Sequence, residues 1–328
     1  MFQRFDSRVG RALLAGIAAA LLASSALAQG AWPQRPIRIV APFSAGGPGD
    51  DSTRLVADAL SKALGQPVIV DNKPGAGSII AADAVAKAPP DGYTLLAAAN
   101  GTLINSLIRK KMPYAAGDLV PVTGVSDVPS LLVIDASIPA KDLKELQAYA
   151  KKESRGIFFA TTGIGSTSHF SGEMIKASLG VPLTFVQYKS GGESSAALLS
   201  GQVQMLSEVP SASLLGLVKT GRFKAIAVAS GQRMTALPNV PSTTEAGFPG
   251  IRMTHWLGLM APKGTPPEIL DRISAAVQAW LATPAGREAA ATRNVEPMLG
   301  DRKQFTAFVD GENQRLGKLA SELKMVAD

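Results

Sequence analysis

The chain contains no cysteine. That excludes a disulfide staple and a lipidated N-terminal cysteine, and leaves stability to the core alone. Histidine is almost as scarce, since His169 and His255 are the only two. Neither lies in an H-E-x-x-H helix, so a zinc site has too few ligands and no metal is expected. No G-x-S-x-G elbow and no G-x-x-x-x-G-K-[ST] loop occurs. Ser168 adjoins His169, but neighbours on a helix point about 100° apart and make a poor nucleophile–base pair. Beyond the N-terminus no stretch approaches 18 unbroken apolar residues, so no membrane span is expected. The basic residues are scattered, with Lys110–Lys111 and Lys151–Lys152 the densest pairs. Without a basic stripe interleaved with aromatics, nucleic acid is not an expected partner.

What is present begins with a leader. Arg4, Arg8 and Arg11 precede an apolar run from Ala12 to Ala23, and Ala26-Leu27-Ala28 supplies a small-residue cleavage pattern. Residues 1–28 read as a secretory signal peptide, so the mature chain is expected to start at Gln29 in the periplasm. Removing it takes away three arginines and Asp6, leaving 30 basic and 25 acidic residues, a net +5. That mild positive field suits collection of anionic solutes.

The remaining chain suits two domains. Gln34–Val40 reads as a buried strand, followed by a glycine-bearing turn and a helix from Asp50 to Leu64. Leu55, Val56, Ala59, Leu60, Ala63 and Leu64 set that helix's apolar stripe, and Gly65 is placed to stop it. Pro67–Val70 and Tyr93–Ala98 are further strands, with a helix after Pro74–Ser78 between them. This βαβαβ order predicts a parallel sheet with helices on both faces. A second run repeats the layout without the sequence. Its strands are Leu131–Asp135, Ile157–Ala160, Leu183–Tyr188, Val203–Leu206 and Phe223–Ala229, with helices between them. The C-terminal part adds strand Trp256–Met260, helix Glu268–Leu281 and a last helix carrying Phe305, Phe308, Val309 and Leu316. No loose linker divides the halves, so the chain is expected to cross between them more than once. Lobe 1 is expected over residues 29–128 and 229–328, and lobe 2 over 129–228. α/β sheets bind ligands at the carboxyl ends of their strands, which places a cleft between the lobes.

Three glycine turns sit at strand ends, namely Ser44–Gly49, Asn100–Thr102 and Thr161–Ser168. A strand feeding such a turn and a helix N-terminus gathers backbone N–H groups where an anion can sit. Gly163 and Gly165 have G-x-G spacing but lack the third glycine of a dinucleotide loop, so no nucleotide cofactor is expected. Ser166 or Thr167 is a natural N-cap for the helix that follows. Asp50 opens the first helix where its dipole favours an acid. His169 falls in the first turn of that helix and is a candidate to face the cleft. Phe43, Tyr188 and Trp256 are candidate walls.

PFSAGGPGD (Pro42–Asp50), VDNKPGAG (Val70–Gly77), PDGYTLL (Pro90–Leu96), PAKDLKEL (Pro139–Leu146), GIGSTSHF (Gly163–Phe170), QYKSG (Gln187–Gly191), LPNVPSTTEAGFPG (Leu237–Gly250) and HWLGLMAPKGTP (His255–Pro266) stand in order along the chain. Together they resemble the Bug family, periplasmic solute receptors of tripartite tricarboxylate transporters. The resemblance implies a two-lobed type II periplasmic-binding-protein fold, each lobe a mostly parallel α/β sheet flanked by helices. It further implies a monomeric, non-enzymatic receptor that hands a small carboxylate to membrane permease subunits. A sensor docking on a signalling partner, or a periplasmic enzyme on the same scaffold, are the alternatives. By the same resemblance the loops Phe43–Gly47 and Thr162–Thr167 clasp the carboxylate through backbone N–H groups. The implied ligand-binding set is Phe43, Ser44, Ala45, Gly46, Gly47, Asp50, Asn100, Thr162, Gly163, Gly165, Ser166, Thr167, His169, Tyr188 and Glu208. Two departures stand out. Gly49 replaces the family's threonine or serine, and Glu208 stands where an aspartate faces the ligand's distal end.

Overall fold

The computed structural model describes residues 32–293 and 295–327. The expected leader lies outside them. Two five-stranded sheets organise the chain. In sheet 1, β1 (Ile37–Ala41), β2 (Val68–Asn72) and β3 (Thr94–Ala99) run parallel. β10 (Thr254–Pro262) lies antiparallel between β3 and β4 (Leu119–Pro129), giving the order β2-β1-β3-β10-β4. Sheet 2 repeats that plan as β7-β6-β8-β5-β9. Here β6 (Ile157–Thr161), β7 (Leu183–Gln187) and β8 (Met205–Glu208) are parallel, while β5 (Leu131–Asp135) pairs antiparallel with β8 and with β9 (Phe223–Val228). Each sheet is therefore mixed, parallel along three strands and reversed at the fourth. The reversed strand in each is one that adjoins a passage between the sheets.

Those passages lie side by side. The chain leaves β4 for β5 through Ser130, and returns between β9 and β10. Ser130 N–H donates to Met253 O at 2.9 Å, Ala229 N–H to Ser130 O at 2.9 Å, and Met253 N–H to Ala229 O at 3.1 Å.

The helices form where apolar residues recur on one face and end where glycine permits a left-handed residue. α1 (Pro48–Leu64) buries Leu55, Val56, Ala59 and Leu60 and stops at Gly65 with φ +69°. α2 (Ile79–Ala86), α3 (Asn100–Ile108), α4 (Leu143–Ala150), α5 (Thr167–Leu179), α6 (Gly191–Leu199) and α7 (Ala212–Lys219) follow in order. The last three are α8 (Pro267–Leu281), α9 (Pro284–Ala291) and α10 (Arg302–Glu322). α1 and α8 pack together over one face of sheet 1. On the other side a continuous apolar cluster runs from sheet 1 under α3 and α10 to sheet 2 under α4 and α5. Each large side chain it removes from water contributes about 1.5–3 kcal/mol.

Three elements differ from the sequence-based expectation. β4 is an 11-residue strand where none is expected, α9 is an additional helix, and the Asn100–Thr102 turn is the first turn of α3. In α3 the segment NGT looks like a loop, but Leu103, Ile104 and Ile108 bury a helical face. Trp256 is not a cleft wall. It is 2% exposed, packed edge-on against Phe305 and Phe308 with ring centroids 6.1 and 6.0 Å away.

Candidate functional site

β1, β2 and β3 are parallel, so their carboxyl ends share one edge, and each leads to a helix. The first loop, residues 42–47, is shaped by Asp50 of α1. One carboxylate oxygen accepts from Gly46 N–H at 2.9 Å and from Arg54 Nε at 2.8 Å; the other accepts from Asn72 Nδ2 at 2.8 Å. Asn72 Nδ2 also donates to Phe43 O at 3.0 Å. Burial pushes the Asp50 carboxyl up, but the bonds from Arg54, Asn72 and Gly46 outweigh it and hold it below its ordinary value. Asp50 thus builds the loop, and both its oxygens are committed to protein donors, so a direct ligand contact is not its task. Gly46 needs its freedom at φ +77°, whereas Gly47 sits at φ −87°. Gly49 has another reason to be glycine. A Cβ there would lie 2.5 Å from the Phe43 ring, which occupies the space a larger residue needs.

No side chain caps α1 or α3. Gly47 and Ala99 are their N-caps, and Pro48 at the start of α1 has no N–H. Their first-turn N–H groups and dipole ends lack a built-in acceptor, which favours an anion there. Asn100, expected in the site, turns inward. It is 1% exposed, its Oδ1 accepts from Trp256 N–H at 3.3 Å, and its Nδ2 meets Met253 Sδ at 3.7 Å. Between these helices runs a segment with four successive positive φ values, Gly75 (+124°), Ala76 (+47°), Gly77 (+62°) and Ser78 (+86°). Two of the four are not glycine, and such strain persists only where surroundings enforce it. Part of the enforcement is Asn105, fully buried in α3, whose Nδ2 donates to Gly77 O at 2.6 Å and Gly101 O at 2.8 Å.

At the matching edge of sheet 2, β6, β7 and β8 end at Thr161, Gln187 and Glu208. The loop after β6 turns at Gly163 (φ +105°) and Gly165 (φ +81°). Ser166 caps α5, accepting from His169 N–H at 3.2 Å. Buried Ser168 accepts from Thr162 N–H at 3.0 Å and lies 3.1 Å from both the Thr162 and Ser166 hydroxyls. Ser44, Ala45 and Gly46 are exposed, and Thr162, Gly163, Ser166, Thr167 and His169 are partly so. Tyr188 is half-buried and packs on the core of sheet 2.

Three buried polar atoms at this edge have no hydrogen-bond partner: Thr161 Oγ1, His169 Nδ1 and Glu208 Oε1. An unsatisfied buried polar atom costs about 1–3 kcal/mol; Trp32, Asp83, Tyr114, Asp127 and Trp256 carry others away from this edge. Burial holds His169 below its ordinary value, and the nearby Glu173 only partly opposes this. Burial pushes Glu208 up to about 7 against one hydrogen bond from Val209.

The two edges meet. A Cβ on Gly165 would lie 2.8 Å from Asn105 Oδ1, so the sheet 2 loop rests against α3 of sheet 1. Asn72, Asn105 and the 75–78 segment lie outside the expected ligand-binding set, as does Ser168, which the sequence offered only as a poor nucleophile. The Pro74–Ser78 turn was visible, but nothing local in Asn72 or Asn105 distinguishes them.

The other histidine sits at the passage between sheets. His255 Nε2 lies 2.8 Å from Ser130 Oγ, a separation suited to a nucleophile and its base. Ser130 is fully buried, however, and burial holds His255 down at about 4. The pair joins the two crossings. Among the described residues no cluster of His, Cys, Asp and Glu could hold a metal ion, and no helix is long and apolar enough to cross a membrane.

A family model described as the tripartite tricarboxylate transporter family receptor matches residues 52–325. The protein BugT of Bordetella pertussis is 34% identical over 312 residues, 94% of this chain and 93% of BugT. A solved R. palustris structure with adipate is 33% identical with TM-score 0.84, covering 90% of this chain and 99% of that one. MatC from Rhodopseudomonas palustris with bound malate is 31% identical with TM-score 0.78, covering 88% and 99%.

Proposed function

Because the chain belongs to the tripartite tricarboxylate transporter receptor family, we propose that it captures a small carboxylate between its two sheets and delivers it to a membrane permease. The observation that carries this reading is the opposition of two strand-end edges. One offers uncapped helix N-termini, and the other offers buried polar atoms without partners. Residues 29–128 with 229–328 act as one lobe and 129–228 as the other, hinged where Ser130, Ala229 and Met253 bond to one another. The loops Phe43–Gly47 and Thr162–Thr167, exposed or partly exposed except at Gly165, clasp one carboxylate group. Oriented N–H groups hold an anion there without a buried ammonium. The relatives bound to adipate and malate support a carboxylate as the ligand class. No catalytic step is assigned, since Ser130 is fully buried and His169 Nδ1 has no hydrogen-bond partner.

The test is a thermal-shift screen of small carboxylates beside their neutral amides. Free ligand at a hundred times its dissociation constant adds about 2.7 kcal/mol to a receptor's stability. At about 2 °C per kcal/mol for a chain of this size, the midpoint rises near 5 °C. The acids are expected to shift it and be recovered intact, and the amides to leave it in place. Equal shifts from both would end the anion-clasp reading, and turnover would favour an enzyme. The same reading places the protein in the periplasm after removal of residues 1–28. Sequencing the exported product is expected to begin at Gln29, and a product beginning at Met1 contradicts it.

A further inference from the structure

The amide of Asn105, fully buried in α3, has only one orientation open to it. Its Oδ1 accepts from Arg109 Nε at 2.8 Å, while its Nδ2 donates to Gly77 O at 2.6 Å and to Gly101 O at 2.8 Å. Turned over, it would set its oxygen against two carbonyls and its NH2 against a guanidinium. The same amide is the close neighbour of two glycines from different sheets. Oδ1, Cγ and Nδ2 would all lie within 3.3 Å of a Cβ on Gly77, in the strained 75–78 segment, and of one on Gly165, in the loop after β6. The first turn of α3 presses on this point too, since a Cβ on Gly101 would stand 2.7 Å from Gly77 O.

Support of the 75–78 segment does not account for Gly165. Gly163 turns at φ +105° with nothing within 4 Å of where its Cβ would be, so its backbone alone asks for glycine. Gly165, at φ +81°, has Asn105 against it as well. The loop's own bonds, Thr162 N–H to Ser168 Oγ at 3.0 Å and Ser166 N–H to Gly163 O at 3.1 Å, fix its shape and not its place relative to sheet 1. Contact with Asn105 bears on that place. We propose that Asn105 is a positioning residue of the clasp. Its amide ties the 75–78 segment to α3 and seats the 162–167 loop. One side chain thereby sets where that loop stands against the start of α3. This rests on the carboxylate-receptor reading above, in which the first-turn N–H groups of α3 face the anion, and deepens it. Arg109 holds the seat in its orientation.

The experiment is residue-resolved hydrogen exchange on the whole mature protein, native and carrying Gly165→Ala, Asn105→Ala or both. Exchange reports local opening one amide at a time. In Gly165→Ala the added methyl meets the Asn105 amide. Exchange is expected to speed at least about threefold at Ser166, in the altered loop, and also at Ser78, whose N–H donates to Gly75 O at 3.1 Å on the far side of Asn105. The β1 amides are expected to keep their rates. With Asn105 already alanine, adding Gly165→Ala is expected to leave Ser78 unchanged, because the link is gone. Faster exchange at Ser166 alone, or at Ser78 only in step with β1, overturns the role of Asn105. Should Asn105→Ala fail to fold, the comparison of native protein with Gly165→Ala carries the test. Adipate and malate, bound in the related structures, are the affinity probes. Gly165→Ala is expected to weaken binding tenfold or more in the native background, and no more than about twofold where Asn105 is alanine. Equal losses in both backgrounds overturn the proposal and leave the receptor reading standing. If neither acid binds while neutral compounds do, the receptor reading fails, and the exchange result still decides whether Asn105 seats the loop.

Discussion

Two buried titratable residues oppose each other in their effect on stability. Burial holds His255 down at about 4 from 6.5. The unfolded chain therefore binds its proton first on acidification, so its contribution is complete above 6.5 and is lost as pH falls toward 4. Glu208 is the reverse, pushed up to about 7 from 4.5. Its contribution is complete below 4.5 and is lost as pH rises toward 7. Each amounts to at most about 3 kcal/mol across its window, so in the native protein the two nearly offset. His255→Gln removes one titration and keeps a polar partner for Ser130. Its melting temperature, compared with that of the native protein, is expected to rise on acidification from pH 7 to pH 5. Glu208→Gln is expected to show a steeper acid loss than the native protein. Parallel melting-temperature curves for all three proteins would show that neither residue titrates as its burial indicates.

The contact between the 162–167 loop and α3 depends on the loop's backbone. Gly165 is at φ +81°, and its missing Cβ leaves room for Asn105 Oδ1. Asn105 cannot yield easily, because it spans Gly77 O and Gly101 O and accepts from Arg109 Nε at 2.8 Å. Gly165→Ala carries a conformational cost of about 1–2 kcal/mol for left-handed backbone and forces the loop away from α3. Ligand affinity is expected to fall tenfold or more, while the free protein's midpoint drops by no more than about 4 °C. Unchanged affinity in calorimetry would mean that the loop and α3 need not meet for binding. On the other loop, Asn72→Ala leaves a buried Asp50 oxygen and Phe43 O without their donor. A loss of about 1–3 kcal/mol in denaturant melts is expected, and a neutral result would show that water replaces the amide.

Across the whole molecule, two sheets of the same strand plan are joined by two adjacent strands of chain. A carboxylate held between the sheets would bear on the crossing bonds of Ser130, Ala229 and Met253 and on the contact between Gly165 and Asn105. Saturating carboxylate is expected to lower the radius of gyration in small-angle scattering, with each sheet's own packing unaltered. Identical scattering with and without a ligand that shifts the melting midpoint would rule out closure as the binding motion.

Much of this architecture follows from the sequence alone. Gly65 and Gly180 stop α1 and α5 in left-handed conformations where the apolar stripes end. The alternation of buried strands and striped helices sets the parallel cores of both sheets, because periodicity is a property of residues a few positions apart. β4 escapes such reading because Pro121, Gly124 and Pro129 interrupt its pattern, and pairing with β10 over nine residues decides it. The same holds for side-chain roles. Asp50 carries the marks of a first-turn helix acid, yet Asn72, 22 positions away, makes it a loop anchor. Asn100 looks like a turn residue until Trp256, 156 positions on, binds its oxygen. Trp256 could serve a cleft or a core equally well by composition, and only Phe305 and Phe308 arriving with α10 settle it in the core. Local spacing determined where the glycine turns fall, whereas hydrogen-bond partners brought in by the fold decided which polar atoms were left unpaired.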